Sequence, residues 1–200
     1  MREIILATRN PNKVREIRSI LDFLPVTFSS LLDLQDIPDI VEDGSTLDEN
    51  AFIKARFLYQ RVKIPALADD SGLEVFALDG RPGVYSARYA GEHATYEDNN
   101  KKLLAELVSF PAEKRKARFR CVAAFVGPST EYAVEGICEG TIIHAPRGTG
   151  GFGYDPLFVP DGYPETFAEL SPEVKNSISH RSAAFRAMGE YLRLHFLNKR

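Results

Sequence analysis

Tryptophan is absent from the 200 residues, and cysteine and methionine occur only twice each. Two thiols, Cys121 and Cys138, are too few for the disulfide framework of a small secreted domain. Both fall in predicted strands, where buried free thiols are the expectation. No apolar run approaches the roughly 20 residues that a membrane span needs. No N-terminal stretch joins basic residues to a long apolar run and a small-residue cleavage site. Charge of one sign is scarce as well: 25 Lys and Arg stand against 28 Asp and Glu, a formal net of -3. No global positive field therefore draws the chain to nucleic acid or to a membrane, although a local basic site for a small anion stays open. His93, His144 and His195 lack metal-ligand spacing. There is no internal repeat, low-complexity tract or linker. A cytoplasmic protein with neither nucleic acid nor membrane as partner is the expectation.

What is present fits one domain, residues 1–200, with room for two lobes. The 44% apolar fraction suffices for a core without disulfides or structural metals. Ile4-Ile5-Leu6-Ala7 reads as a strand buried on both faces. Asn10 and Pro11 read as a helix cap and first helical residue, with Val14, Ile17, Leu21 and Leu24 following at helical spacing. Phe28 to Leu34 predicts a short strand and turn, and Asp36 to Gly44 an acidic loop. Thr46 and Glu49 have capping-box spacing, so a helix is expected from Leu47 to about Arg61. Ala66-Leu67-Ala68 predicts a small strand that stops at a turn, Asp69-Asp70-Ser71-Gly72, with another strand over Leu73 to Leu78. Thr95 caps a further helix. Residues 117–125 and 131–143 read as a hairpin of long strands around Gly127-Pro128-Ser129. Residues 144–156 are Gly-rich and irregular. Ser171-Pro172 starts a short helix and Ser179 caps the last. This order gives a mixed α/β architecture.

Several stretches can carry chemistry. In Thr8-Arg9-Asn10-Pro11-Asn12-Lys13, free amides at a helix N-terminus can bind an anion, and Lys13 adds a full charge where the helix dipole prefers a carboxylate. A solvated lysine on an ordinary capped helix has the same sequence. In Asp69-Asp70, adjacent strand positions point to opposite faces, so the two carboxylates diverge unless the turn rotates one. Asp70, at the turn, is the better candidate for a cleft, where a carboxylate can hold Mg²⁺ or take a proton from water. A polar turn stabilised by Asp side chains is the alternative. Glu42, in the acidic loop, is a candidate second metal ligand. Asn50 and Lys54, four apart, share a helix face. Gly148-Thr149-Gly150-Gly151-Phe152-Gly153-Tyr154-Asp155-Pro156 combines glycines, two aromatic faces and an acceptor, the materials for holding a base. A turn with one aromatic anchored in the core is the plainer reading. Lys175 and Ser179-His180-Arg181 form a second cationic cluster at a helix start. Lys114-Arg115-Lys116, with Arg118 and Arg120, reads as a solvated loop and strand face.

Taken in order, Ala7 to Lys13, Glu49-Asn50-Ala51, Ala68 to Leu73, Pro82 to Tyr89, Gly148 to Pro156 and Ser179-His180-Arg181 resemble the inosine triphosphate pyrophosphatase family, also called the XTP/dITP pyrophosphatases. The resemblance covers essentially the whole chain. It implies an elongated two-lobed mixed β-sheet flanked by helices, with the nucleotide in a cleft between lobes, a homodimer and Mg²⁺ dependence. By motif, Thr8, Asn10, Lys13 and Lys54 hold phosphate, within a loop that also includes Arg9, Pro11 and Asn12; Arg9 carries no individual role. Glu42 and Asp70 bind metal, and Asp70 accepts the proton. Asp69 assists and Ser71 contacts substrate. Phe152 stacks on the base, with Gly153, Tyr154 and Asp155 completing that wall. Lys175, His180 and Arg181 contact the nucleotide, the last two near the purine 6-oxygen. The implied reaction splits ITP, dITP or XTP into the monophosphate and pyrophosphate, clearing deaminated purines from the nucleotide pool. A pyrophosphatase for modified pyrimidine or standard nucleotides and a nucleotide-sensing module are the competing readings.

Overall fold

The computed structural model describes residues 2–198. Six strands, β1 (Arg2–Leu6), β2 (Val26–Ser30), β3 (Ala66–Val75), β4 (Lys116–Gly127), β5 (Thr130–Ile142) and β6 (Phe158–Pro160), form one sheet in the order β2-β1-β3-β4-β5-β6. The sheet is mixed: β1 runs parallel to β2 and β3, and β5 antiparallel to β6. Five α-helices accompany it: α1 (Pro11–Ile20), α2 (Leu47–Val62), α3 (Tyr96–Glu106), α4 (Pro172–Ile178) and α5 (His180–Tyr191). The predicted α/β class is the observed one. Among the described residues no helix is long and apolar enough to cross a membrane.

The chain gathers into two compact units. The first comprises Met1–Asp70, Cys121–Gly136 and His180–Arg200. Its core joins Ile4 and Leu6 of β1, Val14 and Ile17 of α1, Leu67 of β3, Phe125 of β4, and Phe185 and Met188 of α5. Ile4, Ile5 and Leu6 are all fully buried, as a parallel strand covered on both faces requires. The start of α5 lies hard against β5: a Cβ on Gly136 would stand 2.2 Å from the His180 carbonyl oxygen. Only glycine permits that approach.

The second unit comprises Ser71–Arg120 and Ile137–Ser179. Its core is aromatic, with Phe119 edge-on to Phe158 at 4.7 Å and Phe167 5.0 Å from Phe158. Thr95 caps α3 as expected and also closes a capping box with Asp98, whereas on α2 Thr46 caps through the Glu49 amide and the Glu49 carboxylate accepts from Ser45. Cys121 and Cys138 are buried free thiols, as predicted.

Three expectations are corrected. The turn predicted at Asp69-Asp70-Ser71-Gly72 is instead the middle of β3, a continuous strand of 10 residues. Gly72 serves closeness rather than turning, since a Cβ there would lie 2.4 Å from the Gly83 carbonyl oxygen. The strand expected to Leu78 ends at Val75 and passes into a 3₁₀ turn, Phe76–Leu78. The basic run is a solvated face only in part: Lys114 and Lys116 are exposed and Arg118 and Arg120 half-buried, but Arg115 is enclosed. Arg115 is among the most deeply buried side chains and donates to the carbonyls of Leu107, Phe110 and Ile143. Lys116 pairs with Asp161, and Arg118 and Arg120 with Glu74. Arg115 thus closes the end of α3, while the pairs to Asp161 and Glu74 neutralise much of the remaining charge.

Candidate active site

The first unit brings the predicted phosphate loop, the paired acids and the α5 cations onto one strand. Because β3 runs straight through them, Asp69 and Asp70 point to opposite faces. Each meets a different set of partners.

On one face, the Asp69 side chain is wholly enclosed and its Oδ2 lies 2.9 Å from Lys13 Nζ. Arg181 donates to the same oxygen through Nε at 3.4 Å and Nη2 at 3.2 Å, and through Nη1 to Glu16 at 2.7 Å. Burial would push the Asp69 carboxyl up, but Lys13, Arg181 and Lys54 outweigh it and hold the carboxyl well below the usual range. Burial works against the Arg181 charge too, and Asp69 and Glu16 more than offset it. The result is a chain of alternating charge, Glu16–Arg181–Asp69–Lys13, that ends at the phosphate loop. His180, the first residue of α5, is buried beside it in sequence.

On the other face, Asp70 Oδ1 accepts from Lys54 Nζ at 2.8 Å and Oδ2 from Asn50 Nδ2 at 3.4 Å. Lys54 Nζ also donates to Glu42 Oε2 at 2.6 Å. The predicted shared face of Asn50 and Lys54 therefore looks at Asp70. Burial raises the Asp70 carboxyl above its ordinary value; Lys54 and Lys13 oppose the shift, and Glu42 adds to it. Burial also works against the Lys54 charge, and Asp70 and Glu42 together outweigh it, keeping Lys54 protonated.

The phosphate loop differs from its sequence reading in one respect. The amides at its helix start are already engaged: the Asn10 amide donates to Thr8 Oγ1 at 3.1 Å, and the amides of Asn12 and Lys13 to Asn10 Oδ1 at 2.9 and 3.4 Å. Asn10 is an efficient helix cap and Pro11 has no N–H, so the helix start itself offers an anion the Lys13 ammonium rather than open amides. Asn12 Oδ1 accepts from Arg15. Arg9 is exposed and turns toward Leu31, Ile37 and Asp39.

In the second unit, the Gly-rich segment is a built loop. Gly148, Gly151 and Gly153 have φ of 80°, 69° and 63°, the left-handed region that glycine occupies without strain. Asp155 Oδ2 accepts from the Phe152 amide at 2.8 Å and from Lys175 Nζ at 2.6 Å. Asp155 and Lys175 are both buried, so they fold the loop around themselves. The Lys175 ammonium stands 4.9 Å from the centre of the Phe152 ring, within cation–π range. Tyr154 is the core anchor: it is buried, and its hydroxyl donates to the Ser86 carbonyl at 2.9 Å. Phe152 stays partly exposed, with Tyr96 6.1 Å away. Ser71, at the start of this unit on β3, is partly buried.

Two contributors escaped the sequence reading. Glu16 sits beside the apolar stripe of α1 and meets Arg181 165 residues away, a pairing with no local signal. Asn100 of α3 donates to the Gly153 carbonyl at 3.0 Å; its helix position was visible but its target was not.

The donor chemistry suits a hard cation only in part. Among the described residues no group of three or more His, Cys, Asp or Glu can hold a metal ion. The oxygens of Glu42 and Asp70 do converge, since both bind Lys54 Nζ. Two carboxylates match Mg²⁺, which is commonly held by one or two protein carboxylates with substrate phosphates completing the shell.

Comparison with known proteins agrees with this arrangement. The Ham1 family profile matches residues 4–191. The chain is 52% identical over 193 residues to the dITP/XTP pyrophosphatase of Geobacter sulfurreducens, covering 96% of this chain and 97% of that protein. It is 52% identical over 190 residues to the dITP/XTP pyrophosphatase of Thermoanaerobacter pseudethanolicus, covering 95% and 96%. The solved structure of a HAM1 protein from Coxiella burnetii superposes with a TM-score of 0.88 at 42% identity, covering 97% of this chain and 100% of that one.

Proposed function

The chain belongs to the Ham1 family, and on that premise we propose that it is a nucleoside triphosphate pyrophosphohydrolase acting on deaminated purine nucleotides, dITP, ITP and XTP. Water attacks the α-phosphorus, and the monophosphate and pyrophosphate leave. The curated relatives named above as dITP/XTP pyrophosphatases support the substrate class.

One observation carries the mechanism: neighbouring carboxylates whose environments push their proton affinities apart. Such a split is the usual mark of divided roles. Asp69, held ionised by Lys13 and Arg181, is a fixed counter-charge. Asp70, raised by burial, is the stronger base, and Lys54 at 2.8 Å keeps it ionised and oriented. Asp70 takes the proton of the attacking water. Lys13 and Lys54 neutralise phosphate charge, and Thr8 contributes its hydroxyl from the same loop as Lys13; placing fixed positive charge where negative charge develops is the main electrostatic lever in such reactions. Glu42 and Asp70 would hold Mg²⁺, which supplies further charge neutralisation to the triphosphate.

For the base, the partly exposed Phe152 ring, braced by Asp155 and Lys175, supplies a stacking face. Reading of the purine 6-oxygen falls to an imidazole N–H of His180, because Arg181 is enclosed and gives its Nε, Nη1 and Nη2 to Asp69 and Glu16. Adenine presents an amino group there and would leave that donor unmatched, a mismatch that can cost roughly 10⁴-fold in selectivity. The working form is a cytoplasmic homodimer, which sedimentation at micromolar concentration tests.

The decisive assay incubates the protein with dITP, ITP, XTP and the standard triphosphates plus Mg²⁺ and identifies the products. Pyrophosphate with the inosine or xanthosine monophosphate is the expected outcome. Orthophosphate as the only phosphorus product, or ATP hydrolysed equally well, would overturn the proposal.

A further inference from the structure

We propose that Arg9 is a positioning residue for Glu42: from inside the phosphate loop, its guanidinium clamps the irregular segment that carries that acid. The proposal rests on the reading of Glu42 as a metal ligand.

Glu42 lies in the connection between β2, which ends at Ser30, and α2, which begins at Leu47. Beyond a turn at its start this connection has no helix or strand, so side chains must fix it. Its downstream end is tied by α2: the Gly44 amide donates to Asn50 Oδ1 at 2.9 Å, and Ser45 donates to Glu49 through its amide at 2.7 Å and its hydroxyl at 2.8 Å. Upstream, Arg9 does the same work. Its Nη1 donates to the Leu31 carbonyl at 3.1 Å, its Nη2 to the Ile37 carbonyl, and its Nε lies 3.4 Å from Asp39 Oδ1. Between the clamped carbonyls, Asp36 turns the chain at a φ of 65°, a left-handed conformation that aspartate adopts more readily than most residues. The Arg9 bond to the carbonyl of the next residue, Ile37, fixes the chain just beyond that turn.

Three acceptors in one fork are a guanidinium task. A planar group with fixed N–H directions can take two carbonyls and a carboxylate together, whereas a lysine ammonium is a point charge on a flexible stem. Arg9 also stands between Thr8 and Asn10. The same few residues that present Thr8 and Lys13 thus set where the Glu42 segment lies, and this couples the phosphate loop to the metal-side acid within one unit.

The test compares Arg9→Ala, Arg9→Lys and Glu42→Gln. Hydrogen–deuterium exchange is followed over residues 32–44 in the protein without ligand, and the Mg²⁺ half-saturation is measured for XTP hydrolysis. Both Arg9 variants should speed exchange in that segment while the α1 and α5 amides stay protected. Both should raise the Mg²⁺ half-saturation about fivefold, the size expected for a partly exposed charge-assisted contact. In a Glu42→Gln background the further change from Arg9→Ala should fall below about twofold, because coupled residues are not additive. Unchanged exchange, or rescue of both readouts by Arg9→Lys, would overturn the clamp and leave Arg9 a mere charge. An unchanged Mg²⁺ dependence in Arg9→Ala, beside an affected Glu42→Gln, overturns the role of Arg9 alone. An unchanged dependence in Glu42→Gln itself overturns the reading of Glu42 and takes the proposal with it.

Discussion

Replacing Asp69 by asparagine should destabilise the protein severely, and the loss should depend on pH. Asparagine keeps the shape and removes the charge. Lys13 at 2.9 Å and Arg181 at 3.2 Å would then face each other without the anion between them. Breaking one partner out of a buried ion pair typically costs about 3–5 kcal/mol. Arg181 keeps Glu16 at 2.7 Å, and Lys13, whose side chain is 17% exposed, can turn to water. The lower end, about 3 kcal/mol, is therefore the expectation. For a chain of this size each kcal/mol shifts Tm by roughly 2–4 °C, so Tm should fall by about 6–12 °C. The sign with pH follows from the folded Asp69 carboxyl lying below its unfolded value of 3.8. Its contribution is fully present above that unfolded value and is lost as pH falls toward the folded one. The gap between the native protein and Asp69→Asn should thus be widest at neutral pH and shrink on acidification below about pH 4. Urea unfolding followed by far-UV circular dichroism at pH 7, 5 and 3.5 measures it. A gap below 1 kcal/mol at pH 7, or one that does not change with pH, would refute the assignment of Asp69 as the buried counter-charge.

Asp70→Asn should lower turnover by about 10²- to 10⁴-fold while calorimetry still detects nucleotide binding; undiminished pyrophosphate release would remove Asp70 from the chemistry. The same substitution should cost far less stability than Asp69→Asn, because burial disfavours the ionised Asp70, and equal losses in parallel urea titrations would contradict the split. Arg181→Ala should cost about 3–5 kcal/mol of stability, because it leaves Asp69 and Glu16 without their shared cation; a loss below about 1 kcal/mol in urea unfolding would contradict the charge chain. Phe152→Ala should raise KM for ITP about tenfold or more, the loss of one base–aromatic stack, while inhibition by inorganic tripolyphosphate stays the same; an unchanged KM would make Phe152 a loop residue only.

Local features were legible in the sequence wherever the interaction was itself local. Asn10 and Thr95 cap their helices as their spacing predicts. The face shared by Asn50 and Lys54 follows from helical geometry and does meet Asp70. Partnerships across long separations were not legible. Nothing near Glu16 announces Arg181, and nothing in Arg115 distinguishes a buried helix clamp from a solvated arginine. The turn expected at Asp69-Asp70-Ser71-Gly72 failed for a related reason. Asp, Ser and Gly favour turns when water is their alternative partner, but here Lys13, Lys54 and Arg181 come from distant segments and let two adjacent acids remain within a strand. Lys13 shows the converse. Its awkward place at a helix start suggested an external anion, yet Asp69 already answers that charge. Asp69 therefore holds the Lys13 ammonium in place with no ligand present.

The division of labour between the two acids reduces to parity along β3. Leu67 belongs to the large core of the first unit, whereas Ala66 and Ala68 do not. Side chains two apart share a face, so Asp69 emerges on the side of Leu67, toward Lys13 and Arg181, and Asp70 on the side of the two alanines, toward Lys54. The alternation Ala-Leu-Ala fixes this choice. Shifting the strand by one residue would turn Leu67 out of its core and push two alanines into it, at a cost of several kcal/mol for the lost packing. The main-chain bonds from the Ile5 amide to the Pro65 carbonyl at 2.9 Å and from the Ala7 amide to the Leu67 carbonyl at 2.7 Å hold the same register. Which carboxylate meets Lys13 and Arg181 and which meets Lys54 is therefore decided by the strand itself. It follows from the size of three side chains upstream and the two-residue repeat of a strand. Exchanging Asp69 with Ala68 keeps both carboxylates but puts them on one face of β3, so it is not conservative, however similar the composition.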